Sequence, residues 1–176
     1  MKDQYLKEIS PAIQKELNIK NVMEIPRITK IVLNVGVGEV TTNKGALEKV
    51  QEQLSLIAGQ KAVVTKARKS VSTFKIRKGL PIGTKVTLRG DNMYIFLEKL
   101  IRIVIPRIRD FRGISESSVD SYGNLNIGFS EQTLFPEIEF DKIDKIRGLQ
   151  VTVATTAKTH EQGKVLFTHF GIPFAK

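Results

Sequence analysis

Lys85-Val86-Thr87-Leu88-Arg89-Gly90 alternates and then breaks. In an extended chain successive side chains point to opposite faces, so Val86 and Leu88 share one face of a strand while Lys85, Thr87 and Arg89 share the other. The first face suits a core; the second sets two cations and a hydroxyl side by side. Gly90-Asp91 then turns the chain into a strongly apolar helix, expected over residues 92–105, with Asp91 as N-cap and Pro106 as its end or kink. A strand that is apolar on one face only, leading into such a helix, predicts a sheet with helices on one side and an open polar face on the other.

Outward from this stretch the same grammar continues. Residues 28–37 place Ile31, Leu33, Val35 and Val37 on one strand face and Lys30, Val32, Asn34 and Gly36 on the other. Residues 45–58 repeat apolar side chains at helical spacing (Leu47, Val50, Leu54, Ile57), with Gly59 where a left-handed C-terminal cap is usual, and a short strand over 62–65 follows. An amphipathic helix is expected over residues 3–17, burying Leu6, Ile9, Ile13 and Leu17, with Pro11 in its first turn or at a kink. Towards the C-terminus, the turn Tyr122-Gly123-Asn124 precedes a strand over 125–129, another strand covers 150–154, and a last helix covers 159–170. Thr159 and Gln162 stand at capping-box spacing at the start of that helix, and Gly171 closes it. With no internal repeat or evident linker, 176 residues predict one α+β domain.

Charge locates the function. The chain carries 28 Lys plus Arg against 18 Asp plus Glu, a formal net charge of +10. Lys61, Lys66, Arg68, Lys69, Lys75, Arg77, Lys78, Lys85 and Arg89 fall in one stretch without a single acid, and the rest of the chain is close to neutral. The cations are interleaved with Val63, Val64, Val71, Phe74, Ile76 and Leu80, the mark of folded structure presenting cations rather than of a solvated tail. A concentrated cationic patch calls for a polyanionic partner. The strands lack the aromatic-rich pattern that stacks bases, so recognition through backbone and shape is expected.

Catalytic and cofactor chemistry find no support. The chain has no Cys, hence no disulfide, thiolate site or Cys nucleophile. His160 and His169 are nine apart within one helical pattern, not at ligand spacing, and neither accompanies a nucleophile elbow. Gly36-Val37-Gly38 follows a strand, but Thr41 stands where the third glycine of a dinucleotide loop belongs, which leaves a turn with positive φ or close approach of a partner as uses for these glycines. The acidic group Glu131, Glu137, Glu139, Asp141 and Asp144 is mixed with Lys142, Lys145 and Arg147, reading as a solvated or protein-contacting surface rather than a Mg²⁺ site. A non-enzymatic chain without metal or cofactor is expected. No stretch approaches the roughly 20 apolar residues of a membrane span, so a cytoplasmic location is expected.

Beyond these patterns, the chain closely resembles the bacterial large-subunit ribosomal proteins of the L five family. The resemblance is carried by Ile25-Pro26-Arg27, Leu33-Asn34-Val35-Gly36-Val37-Gly38-Glu39, Ala58-Gly59-Gln60-Lys61 and Thr65-Lys66-Ala67-Arg68-Lys69-Ser70. It continues through Phe74-Lys75-Ile76-Arg77, Pro81-Ile82-Gly83, the stretch 85–90, Pro106-Arg107-Ile108-Arg109-Asp110-Phe111-Arg112-Gly113, Phe135-Pro136-Glu137-Ile138 and Thr155-Thr156-Ala157-Lys158. It runs from end to end. It implies a mainly antiparallel sheet whose open face holds 5S ribosomal RNA, with Asn34, Gln60, Thr87 and Arg89 as core contacts and Lys61, Thr65, Lys66, Arg68 and Lys69 around them. It implies an RNA-binding N-terminal half to about residue 80 and a C-terminal half, 81–176, that completes the sheet. It further implies that the basic loop with Phe74, Lys75, Arg77 and Lys78 contacts P-site transfer RNA. A bridge to a protein of the small-subunit head is expected near Phe135, Glu137, Asp141, Asp144 and Arg147. The remaining partners implied are 23S ribosomal RNA and neighbouring large-subunit proteins, within the ribosome.

Overall fold

A computed structural model describes residues 1–41, 45–138 and 143–175. The strands are β1 (Ile28–Gly36), β2 (Val63–Lys66), β3 (Pro81–Leu88), β4 (Leu125–Phe129) and β5 (Leu149–Thr155). They form one five-stranded, mainly antiparallel sheet in the order β2-β3-β1-β5-β4, in an α+β fold. The helices are α1 (Lys2–Gln4), α2 (Ser10–Glu16), α3 (Gly45–Ala58), α4 (Gly90–Lys99) and α5 (His160–His169). Two compact units share the chain: Met1–Ile31 with Leu88–Ile127 and Thr152–Lys176, and Val32–Thr87 with Gly128–Val151. Each draws on residues from both sides of position 80.

Strand faces divide as the alternation predicts. In β1, Ile31, Leu33 and Val35 are buried while Asn34 is half-buried and Gly36 exposed; in β3, Val86 and Leu88 are buried while Lys85 is exposed. From α3, Ala46, Leu47, Val50, Leu54 and Ile57 enter the core. Full burial of each Leu or Val is worth roughly 1.5–3 kcal/mol, so a one-residue slip of β1 or β3 would exchange several such side chains for Lys, Asn or Thr. Thr84 is the exception on the core face: it is fully buried and its hydroxyl finds no hydrogen-bond partner among the described residues. Thr84→Val, which keeps the shape and removes the orphaned hydroxyl, should therefore raise the unfolding free energy by about 1 kcal/mol in urea denaturation; a loss of stability would mean that the hydroxyl is satisfied.

The helix ends depart from the periodicity. A π-helical turn, Tyr5–Ile9, joins α1 to α2 just ahead of Pro11. Proline offers no N–H to the carbonyl four residues back and crowds it, and a widened turn relieves both. The wider turn also changes the phase of the stripe: Tyr5, Ile9 and Ile13 are buried, whereas Leu6, expected in the core, is 61% exposed. Tyr5 donates its hydroxyl to the Pro26 carbonyl at 2.9 Å and stacks on Phe170 with ring centroids 5.7 Å apart. Asp91, expected as an N-cap, instead sits in the first turn of α4 and pairs with Lys2 at 2.7 Å, since Arg89 holds the cap position. There it still favours the helix through the macrodipole. At the start of α5, Thr159 Oγ1 accepts from the Gln162 N–H, but the Gln162 side chain accepts from the Lys158 N–H, one residue earlier than a capping box requires.

Candidate nucleic-acid interface

Apart from Arg89, which falls in the first unit, the residues expected to meet RNA lie in the second unit. The β2–β3 register pairs Val63 with Lys85 and Thr65 with Gly83, and slips between Thr65 and Lys66. Paired residues share a face, so Val63, Thr65 and Lys85 lie on the open side. Gly83 is obligatory: a Cβ there would stand 2.6 Å from the Val35 carbonyl oxygen of β1 and 3.1 Å from Thr65 Oγ1. On the same face, the half-buried side chains of Asn34 and Thr87 hydrogen-bond to no other described residue.

Gln60 and Lys61 lie in the turn that joins α3 to β2, and a local clasp fixes that turn. Gly59 takes φ +63° to end the helix. Ser55 Oγ donates to the Gln51 carbonyl and accepts from the Ala62 N–H at 2.9 Å, while Gln51 Nε2 donates to the Ala62 carbonyl at 2.8 Å. Two hydrogen bonds thus hold the entry of β2 on α3, the Ser55 hydroxyl being oriented by its bond to the Gln51 carbonyl, and they leave Gln60 and Lys61 exposed. Gln60 Nε2 reaches the Thr87 carbonyl at 3.5 Å, which brings these two expected site residues together.

Sequence periodicity missed the form of the basic loop. Ala67 donates its N–H to the Leu80 carbonyl at 2.8 Å, and Val71 and Ile76 form an antiparallel bridge further out. The connection is a hairpin. Its tip closes with the Lys75 N–H on the Ser72 carbonyl at 2.9 Å, and Lys75 takes φ +54°. The signal was two β-branched residues, Val71 and Ile76, flanking a four-residue turn, but with no Gly or Asn at the left-handed position it lacks the usual hairpin mark. Phe74 at the tip is 70% exposed, and Arg68, Lys69, Lys75, Arg77 and Lys78 are all exposed. Arg89 continues β3 in extended conformation (φ −141°, ψ 169°) with its side chain exposed. Among the described residues, none of the nine cations of this stretch is paired with a carboxylate. They remain available to phosphate, the contact that positions a protein on a nucleic acid.

The segment expected to form a bridge has a different character. Phe135 is wholly buried and packs edge-on against Phe129, with centroids 6.0 Å apart and planes at 79°. Arg147 is buried and holds Asp144 with both terminal nitrogens, at 2.9 and 3.2 Å. That fork holds the Asp144 carboxyl down at about 2 and raises the guanidinium further. Glu39 pairs with Lys145 and lies 3.9 Å from Arg147, a partnership across more than 100 positions that nothing local in the sequence announces. Phe135 and Arg147 therefore present no side chain to a partner, Glu137 is half-buried, and Ile146, not singled out by the sequence, is exposed. Asp141 and Glu139 lie outside the described residues.

Together the fold and this surface define a class: an α+β protein whose open sheet face carries short polar side chains, with a cation-rich hairpin beside them. Comparison with known proteins makes the class specific. Residues 21–77 match the family described as ribosomal protein L5, and residues 81–174 match the C-terminus of the same ribosomal family. The chain is 55% identical over 176 residues to a protein of Symbiobacterium thermophilum named large ribosomal subunit protein uL5, covering 100% of this chain and 98% of that one. It is 54% identical over 174 residues to a protein of the same name from Lactobacillus johnsonii, covering 99% and 97%. The chain belongs to the ribosomal protein L5 family. It is a structural, non-enzymatic constituent of the large ribosomal subunit, with ribosomal RNA and ribosomal proteins as partners. No helix among the described residues is long and apolar enough to cross a membrane.

Proposed function

We propose that the open sheet face binds 5S ribosomal RNA and anchors it in the large subunit. The observation that carries this reading is the pair Asn34 and Thr87: polar side chains on adjoining strands, unpartnered among the described residues, next to cations that lack carboxylate partners. Short polar groups read sugars and base edges, while Lys66, Arg68, Lys69, Lys61 and Arg89 neutralise phosphates. Gln60 and Thr65 complete the polar set. The first half of the chain, to about residue 80, supplies most of this surface, and the remainder completes the sheet; contacts to 23S ribosomal RNA and neighbouring proteins surround it.

The hairpin reaches P-site transfer RNA through Phe74, Lys75, Arg77 and Lys78. Its exposed tip, closed by the Lys75–Ser72 hydrogen bond, supports this role: an aromatic ring for stacking and cations for phosphates. Lys75→Ala with Arg77→Ala should spare 5S RNA binding and weaken the transfer RNA contact, read by RNA titration of the free protein and by chemical footprinting of transfer RNA on ribosomes carrying the variant. A large loss of 5S affinity would reassign the hairpin. The bridge to the small-subunit head is drawn through Glu137, Asp141 and Asp144, with Phe135 and Arg147 buried on either side of them.

A further inference from the structure

Gly36 lies on the open face of β1, two positions beyond Asn34, and among the described residues nothing in the fold calls for a glycine there. Its φ is not in the left-handed region, and a Cβ built on it meets nothing within 4 Å. Gly83 on the next strand is the contrast, since its Cβ would collide with the backbone of β1. Of the two uses the Gly36-Val37-Gly38 motif left open, a turn with positive φ is thereby removed for Gly36. Gly36 is the last residue of β1, where the Val37 N–H still donates to the Ile82 carbonyl at 2.9 Å; glycine there loses more backbone freedom on folding than another residue would and contributes no side chain to the sheet. The space above Gly36 is thus open to a partner on this face.

We infer that Gly36 is a specificity-determining position of the RNA face: its bare Cα lets a ribose or base edge settle onto the sheet. This rests on the RNA-binding reading above and assigns the depth of the contact. A-form RNA displays its 2′-hydroxyls and base edges across a wide, shallow minor groove, so a nearly flat protein floor must come close to touch them. Asn34 and Thr87 have short side chains and reach such groups only if nothing on the floor holds the RNA away. Lysine and arginine are long and flexible and follow a phosphate that has moved outward by the thickness of a methyl group. A side chain at position 36 therefore separates the two kinds of contact: it breaks short-range readout and leaves phosphate neutralisation in place.

The test compares wild type, Gly36→Ala and Gly36→Val in titrations with 5S ribosomal RNA and a length-matched scrambled RNA, alongside thermal unfolding. The unfolding midpoint should stay level or rise, because the added atoms enter open space on a strand. Affinity of Gly36→Val for 5S RNA should fall at least about tenfold, that of Gly36→Ala by less, with scrambled RNA and the salt slope within about twofold of wild type. Unchanged 5S affinity of Gly36→Val overturns the inference. So does an equal loss on both RNAs, and so does a lowered midpoint, which would give the glycine a purpose inside the fold. A wild-type protein without preference for 5S RNA would bring down the RNA-binding reading itself, an outcome visible in the same titration before any variant is considered.

Discussion

Phe135→Ala is expected to lower the unfolding free energy by about 3–5 kcal/mol, the range for deleting a fully buried aromatic ring. Phe135 follows a short 3-10 turn, Gln132–Leu134, is completely buried, and meets Phe129 edge-on. Its loss removes the transfer energy of the ring, the aromatic pair and the packing around both, and leaves a cavity that the segment can only partly close. Urea denaturation of the purified variant gives the number. The effect tests the core role directly: a ring that met a partner protein would cost little stability when truncated in the isolated chain, and a loss below about 1 kcal/mol would overturn the core assignment. Phe135→Leu, which fills most of the space, should recover much of the loss.

The second large effect is on binding. Thr87→Ala combined with Arg89→Ala should weaken 5S RNA binding by roughly 2–5 kcal/mol, taking about 1–3 kcal/mol for each polar interaction removed and some coupling between close neighbours. Neither side chain is buried in the core, so the folded state should be retained, which circular dichroism and the unfolding midpoint will show. The loss on scrambled RNA should be smaller, since only Arg89 contributes to charge neutralisation. Equal losses on both RNAs would reduce the face to a basic surface, and unchanged 5S binding would remove both residues from the interface.

Much of this was legible because period-two alternation is a strong signal where only one sheet face is buried. Asn34, Lys85 and Thr87 could be assigned to the open face from Leu33, Val35, Val86 and Leu88 alone, and the structure places them so. The cation stretch was likewise visible, because charge is additive along a sequence. What could not be read was whatever depends on partners distant in the chain. Phe135 and Arg147 look like surface candidates within an acidic segment, yet Phe129 draws the first inward and the carboxylates of Asp144 and Glu39 the second. Leu6 was misplaced because a helical wheel assumes a constant pitch, and Pro11 changes it locally. The hairpin was hidden because its left-handed position holds Lys75 rather than glycine or asparagine.

The central claim is that the sheet face recognises 5S ribosomal RNA by directed hydrogen bonds in addition to charge. It is tested most directly by titrating the purified protein with 5S RNA and with a length-matched scrambled RNA across a salt series. Phosphate neutralisation weakens steeply as salt rises and does so for any RNA, whereas hydrogen bonds to sugars and bases do not release counterions. The account predicts a preference for 5S RNA that persists as both affinities fall. Affinities that are equal at low salt and collapse together would contradict it.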